Sequence, residues 1–232
     1  MSNDAPSNNH DAVNAAIGLL QLLQGVDEFS HKVFPESAAL FKGLAQSQSP
    51  HTLFIACADS RVVPEMITQT QPGELFVCRN IGNIVPAYGE MLGGVSAVIE
   101  YAVMVLGVRQ IVICGHSDCG AMKGLLNPLS TSGMPTVEAW LRNAEAARST
   151  VFARKLEGPQ ALQALIEENV RLQLMHLRTH PAVAAGIAEG RVALQGWIYD
   201  IEHGQVSVFD EGSGSLQSLP EAIARLQGEA VP

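Results

Sequence analysis

The sequence predicts an α/β fold: a mostly parallel central sheet flanked by helices, with an N-terminal helical arm and a late antiparallel edge strand. Three observations lead there. Short apolar runs of strand length, TLFIAC at residues 52–57, ELFVCR at 74–79 and QIVICG at 110–115, alternate with segments of helical spacing, and strands separated by helices pair in parallel. At 232 residues the chain can bury a substantial core but is short for two large domains. Hydrophobic residues make up 47% and charged residues only 16%, a charge-poor composition that points to further surface buried between subunits.

Each element follows from a local signal. Residues 1–12 open with the polar stretch MSNDAPSNNH and read as a disordered tail, leaving residues 13–232 as one domain. From Asp11 to Gln48 apolar residues recur at helical spacing, and Pro35 suits the first turn of a second helix, where its missing N–H costs nothing. This is the arm. The three apolar runs come next, with the clearest helix at residues 95–106 between the second and third. Residues 136–190 are again helical in pattern, interrupted at Gly158 and Pro159 and at Pro181. A late strand at 193–201 is punctuated by His203 and Gly204, residues 206–209 return as its hairpin partner, and a C-terminal helix starts from Pro220.

Composition excludes several functions. Against 23 Asp and Glu stand 14 Lys and Arg, a net charge of −9, so little is available for a phosphate-tracking surface and nucleic acid is not an expected partner. The most apolar stretch, residues 93–108, is interrupted by Glu100 and falls short of the roughly 20 residues that cross a bilayer. With no basic start followed by an apolar segment, the expected location is the cytoplasm. There is no GxGxxG and no P-loop lysine for a nucleotide. The four cysteines, Cys57, Cys78, Cys114 and Cys119, sit singly in or after apolar runs and read as reduced thiols rather than a disulfide framework.

The residues that carry chemistry lie at strand ends. Cys57 closes the first run, and His116 and Cys119 follow the third directly, so all three project from the carboxyl ends of parallel strands, where open α/β sheets place ligand sites. Two thiolates and an imidazole are zinc ligands, and three protein ligands leave the fourth tetrahedral position open, as in catalytic zinc. One zinc ion per chain is expected. An HxxC spacing alone is weak, and the second strand-end cysteine gives it weight against the competing reading of core cysteines beside an ordinary loop histidine. Directly after Cys57 come Asp59 and Arg61. Arg presents a planar fork that can hold a carboxylate by two hydrogen bonds, and an Asp59 so held is kept off the metal; a helix-capping Asp with a solvated Arg is the alternative. Cys78 and Cys114 read as packing residues, and His51, His176, His180 and His203 as surface groups.

CADSR at residues 57–61 and HSDC at 116–119 resemble the two signatures of the β-class carbonic anhydrases. Gln48-Ser49-Pro50, PGELFVCRNIGN at 72–83, EYAV at 100–103 and QGWIYDIE at 195–202 are similar to the same family, and the likeness runs over residues 34–210. It implies dimers whose N-terminal helices wrap the partner and which pair into tetramers. It also implies zinc on Cys57, His116 and Cys119, and a gating pair of Asp59 and Arg61. Gln48 would bind substrate across the dimer interface, Phe76 and Tyr101 would form an apolar wall, and Gly120 would lend a backbone N–H. Core packing remains the alternative for Phe76 and Tyr101. Where the bicarbonate-regulated branch carries Trp three residues before its first zinc cysteine and Gly immediately before it, this chain has Phe54 and Ala56. It therefore resembles the plant-like, unregulated branch.

The implied activity is reversible hydration of CO₂ to bicarbonate and a proton by zinc-bound hydroxide, a zinc-dependent lyase reaction (carbonate dehydratase). Two other classes stand beside it: a hydrolase of carbon disulfide or carbonyl sulfide on the same scaffold, and a non-catalytic zinc or bicarbonate-binding module. The intact Asp59 and Arg61 argue against the second of these.

Overall fold

The computed structural model describes residues 7–90, 93–210 and 212–230, and the chain divides into two compact units between Gln48 and Ser49. In the first unit, α1 (Ser7–Glu28) runs through one turn of π-helix (Phe29–Val33) into α2 (Phe34–Leu44), with Pro35 in the first turn of α2. The tail expected over residues 1–12 lies outside the described residues as far as residue 6, and α1 begins at Ser7. Phe34 and Phe41 stack with centroids 5.4 Å apart, and Phe29 meets Phe41 edge-on at 5.9 Å. Leu19, Leu22, Leu23 and Val26 of α1 are 58–70% exposed.

The second unit is the sheet and its helices. In chain order it comprises β1 (Thr52–Cys57), α3 (Pro64–Thr68), β2 (Leu75–Asn80), α4 (Gly94–Met104), β3 (Gln110–His116), α5 (Gly120–Leu126), α6 (Pro135–Leu141) and α7 (Glu145–Ala153). There follow α8 (Gly158–Leu177), α9 (Pro181–Ala188), β4 (Ala193–Asp200), β5 (Gln205–Phe209), β6 (Leu216–Ser218) and α10 (Leu219–Ala230). The break expected at Gly158 and Pro159 is the junction between α7 and α8, with the proline in the first turn of α8, where it needs no N–H partner. The strand order is β2-β1-β3-β4-β5-β6. The first four strands are parallel, and β5 and β6 continue antiparallel. The hairpin partner expected at 206–209 is β5, and the three-residue β6, too short to show periodicity, adds the outer edge.

This order positions the site. The chain leaves β1 to one side for β2 and returns to the other side for β3, so the carboxyl ends of β1 and β3 flank the switch point where an open α/β sheet forms its crevice. Side chains alternate along β1: Leu53, Ile55 and Cys57 face the larger core, whereas Phe54 and Ala56 face a smaller one with Val62, Val112 and Cys114. The larger core is closed by α8 through Leu165, Ile166 and Val170, side chains whose burial contributes roughly 1.5–3 kcal/mol each. Close approach of that helix requires glycine beneath it: a Cβ on Gly196 would lie 2.9 Å from a Val170 methyl and 2.8 Å from the Phe209 ring.

Candidate active site

Cys57 ends β1, His116 ends β3, and Cys119 is the N-cap of α5. The short turn between them passes through Asp118 at φ 60°, a left-handed conformation that Asp tolerates better than most residues. The turn is tied to β4, because Ser117 N–H donates to the Tyr199 carbonyl at 2.8 Å and Ile201 N–H to Ser117 Oγ at 2.9 Å. Two strands and a helix start thereby bring the donor atoms of Cys57, His116 and Cys119 within 4.8 Å of one another, all three buried. Among the described residues this is the one grouping of three or more His, Cys, Asp or Glu donors that could hold a metal ion.

The donors are prepared for a cation. His116 Nδ1–H donates to the Ser117 carbonyl at 2.8 Å, which leaves the lone pair on Nε2. That Nε2 is buried and has no hydrogen-bond partner among the described residues. An unmet buried acceptor costs about 1–3 kcal/mol, so the atom calls for a ligand. The Cys119 thiol donates to Cys57, which holds Cys57 down at about 4, with further donation from the Gly82 N–H. The same bond pushes Cys119 up. A proton shared between two close sulfurs is what a soft dication replaces, and two sulfurs with one imidazole suit zinc.

Asp59 stands beside this triangle and is held off it. Its Oδ1 accepts Arg61 N–H at 3.0 Å and Arg61 Nε–H at 2.9 Å, while Oδ2 accepts Arg61 Nη2–H at 2.8 Å. This fork keeps the carboxyl well below the usual carboxylate range. Oδ2 lies 4.0 Å from His116 Nε2. The helix-cap alternative for Asp59 is thus replaced by the two-pronged pair. On its other side Arg61 donates to Asp118 Oδ2 at 3.2 Å, and Lys123 pairs with the same carboxylate.

Two contributors were not singled out from the sequence. Arg79, at the end of β2, donates to the Cys57 carbonyl at 3.0 Å and to the Asp59 carbonyl at 2.6 Å, fixing the backbone on both sides of Ala58. Asp118 shares Arg61 with Asp59. The available signal for Arg79 was a guanidinium placed inside an otherwise apolar strand run.

A cavity of about 390 Å³ opens beside Cys57, the one member of the triangle that lines it, with Asp59, Ile81, Gly120, Met134 and Leu141 among the other lining residues. Gly120 is therefore brought to the site. Phe76 and Tyr101 pair with each other at 6.0 Å between centroids, but within one chain neither lines this cavity. Tyr101 is exposed on α4, and Phe76 packs partly on the core. Gln48 closes the N-terminal unit and is exposed. Cys78 and Cys114 are buried packing residues, and burial pushes Cys114 up to about 12. The histidines differ from expectation. His180 is buried and bonded to the Pro86 carbonyl at 3.0 Å, and half-buried His176 reaches the Val85 carbonyl at 2.7 Å. Both serve the loop after β2, a tertiary partnership with no local signal. His203 is exposed, as expected, beside Asp200.

Residues 52–206 match the family model described as carbonic anhydrase. A carbonic anhydrase of Pseudomonas aeruginosa is 50% identical over 216 residues, covering 90% of this chain and 98% of the relative. The solved β-carbonic anhydrase CcaA superposes with a TM-score of 0.84 at 42% identity, covering 87% of this chain and 92% of that one. A Sordaria macrospora structure, from a pair described as tetrameric β-carbonic anhydrases, gives 0.69 at 30% identity, covering 88% and 99%. Sequence signatures, switch-point geometry and these likenesses converge: the chain belongs to the β-carbonic anhydrases.

Proposed function

We propose that this chain catalyses the reversible hydration of CO₂ to bicarbonate and a proton, with one zinc ion on Cys57 Sγ, His116 Nε2 and Cys119 Sγ. The observation that carries the reading is the buried, partnerless His116 Nε2 facing two sulfurs beside an arginine-locked Asp59. Zinc supplies a Lewis acid that makes a nucleophile of water near neutral pH, chemistry for which carbonic anhydrases are themselves the type case. The chain does the rest. Arg61 holds the Asp59 carboxylate ionised and turned from the donor triangle, so its Oδ2 is available to accept a hydrogen bond from the attacking water and orient it. The side chains of Ile81, Met134, Val137 and Leu141 give CO₂ an apolar berth. Gly120, first residue of α5, offers a backbone N–H to the oxygen that gains charge as bicarbonate forms.

The same reading includes a second copy. Exposed Leu19, Leu22, Leu23 and Val26 on α1 need a covering surface, and a helix without tertiary packing is marginal in water. The arm is assigned to the partner subunit, and Gln48, Phe76 and Tyr101 to the partner's substrate site, in a homodimer that pairs further into a tetramer. Deleting residues 1–33 is expected to abolish assembly and activity together; an active monomer in sedimentation would refute the assignment. Four free cysteines support a reducing, cytoplasmic setting.

Phe54 is fully buried and edge-on to Trp197 at 5.6 Å, which supports the unregulated branch. Stopped-flow assay is expected to show CO₂ hydration with hyperbolic kinetics and bicarbonate acting only as product. Sulfide release from carbonyl sulfide outpacing hydration would favour the hydrolase reading. Cooperative inhibition by bicarbonate would contradict the branch.

A further inference from the structure

Helix α8 carries three polar side chains on one face, Asn169, Gln173 and His176, at the spacing that brings residues into line along a helix. Asn169 is 1% and Gln173 0% exposed. Every orientation in this row is fixed by backbone at its ends. The Val85 N–H donates to Gln173 Oε1 at 2.9 Å, so Gln173 must turn its amide nitrogen to Asn169 Oδ1, at 2.8 Å. Asn169 in turn donates Nδ2–H to the Gly82 carbonyl at 3.0 Å. His176 donates to the Val85 carbonyl, closing the row on the same loop.

Gly82 is where the row meets the metal site. Its own N–H donates to Cys57 Sγ at 3.4 Å. It sits at φ 76°, ψ 21°, and an added Cβ would lie 3.0 Å from Ala121 Cβ, so the left-handed backbone and the close approach of α5 both favour glycine here. Its carbonyl and its N–H belong to the two peptide groups on either side of Cα, so at a residue whose φ and ψ are otherwise loosely restricted, anchoring the carbonyl to Asn169 restrains the torsions through which the N–H is aimed.

We propose that Asn169, oriented by Gln173, is a positioning residue for the metal centre: by holding the Gly82 carbonyl it aims the Gly82 N–H at Cys57 Sγ. A hydrogen bond to a thiolate draws electron density from the sulfur, so the sulfur donates less to a bound cation and the cation keeps more Lewis acidity. Two thiolate ligands make that correction valuable. Partners beyond the ligands themselves commonly change metal affinity or activity by about 10–100-fold.

The inference rests on the zinc reading, so wild-type protein is measured first. Failure of the wild type to bind zinc would overturn both. With zinc bound by the wild type, Asn169→Leu, which keeps the shape and removes the donor, is expected to bind zinc up to roughly 10-fold more tightly in chelator competition, because the sulfur regains donor strength. In its cobalt(II) form the thiolate charge-transfer band should move to lower energy. Gln173→Met should shift both in the same direction by less. Val183→Ala, an equally buried change on α9 rather than on the helix that carries the row, should lower Tm and leave the band in place. Bands and affinity unchanged in Asn169→Leu would reduce the row to a loop fastener and overturn the proposal. Should the variants not fold, NMR of cadmium-substituted wild type decides: scalar coupling between the metal and the Gly82 amide proton is expected, and its absence overturns the proposal.

Discussion

Cys57→Ser is expected to purify with almost no zinc and to hydrate CO₂ no faster than buffer, and Cys119→Ser to behave alike. The two sulfurs and His116 Nε2 lie within 4.8 Å of one another on elements with little freedom to rearrange, since β1 is buried along its length and α5 starts at Cys119. A serine hydroxyl in place of either thiolate leaves one sulfur and one imidazole, too few for a tetrahedral zinc site of about one ion per chain. Cys114→Ala is the control. That thiol is fully buried and faces the smaller core, so its loss should cost stability and spare the metal. Metal analysis and stopped-flow assay of the three variants check this, and full zinc with full turnover in either strand-end or cap variant would sink the ligand assignment.

Arg61→Ala is expected to keep its zinc and lose roughly 10–100-fold in activity, the scale on which partners beyond the ligands act. Wild-type Asp59 is held by three hydrogen bonds from Arg61, and its Oδ2 is already only 4.0 Å from His116 Nε2. Without Arg61 the carboxyl returns toward its ordinary range, still ionised at working pH, and is free to take the metal's open position. Hydroxide competes for that position, so part of the lost rate should return as pH rises. Arg61→Lys should rescue poorly, because an ammonium cannot reproduce the planar fork. A crystal structure of zinc-loaded Arg61→Ala with Asp59 still turned away from the metal would falsify the gating role, however slow the variant.

The donor triangle was legible because its residues stand at the ends of apolar runs, and alternation of strand and helix already places such ends at one sheet edge. Pro35 likewise marked a helix start, and Pro181 a break that the fold places between α8 and α9. What stayed hidden depends on pairs distant in sequence. Asn169 meets Gly82 and His180 meets Pro86 across 87 and 94 residues, and neither partner carries a local pattern. Arg79 looked like one polar residue in a strand, yet its two hydrogen bonds run to backbone carbonyls, which any residue could have supplied. Phe76 and Tyr101 show the limit of reading one chain. They pair with each other and do not line the cavity, so the aromatic wall that the resemblance implies is not formed within one chain.

The most direct test of the central claim is reconstitution: strip the metal with a chelator, return zinc stepwise, and follow CO₂ hydration at each addition. The rate should climb in proportion to zinc and break at about one ion per chain, as expected for a site of three protein ligands with one open position. Hydration that persists without zinc, or a titration with no break near one equivalent, would contradict the assignment of Cys57, His116 and Cys119 as the catalytic metal site.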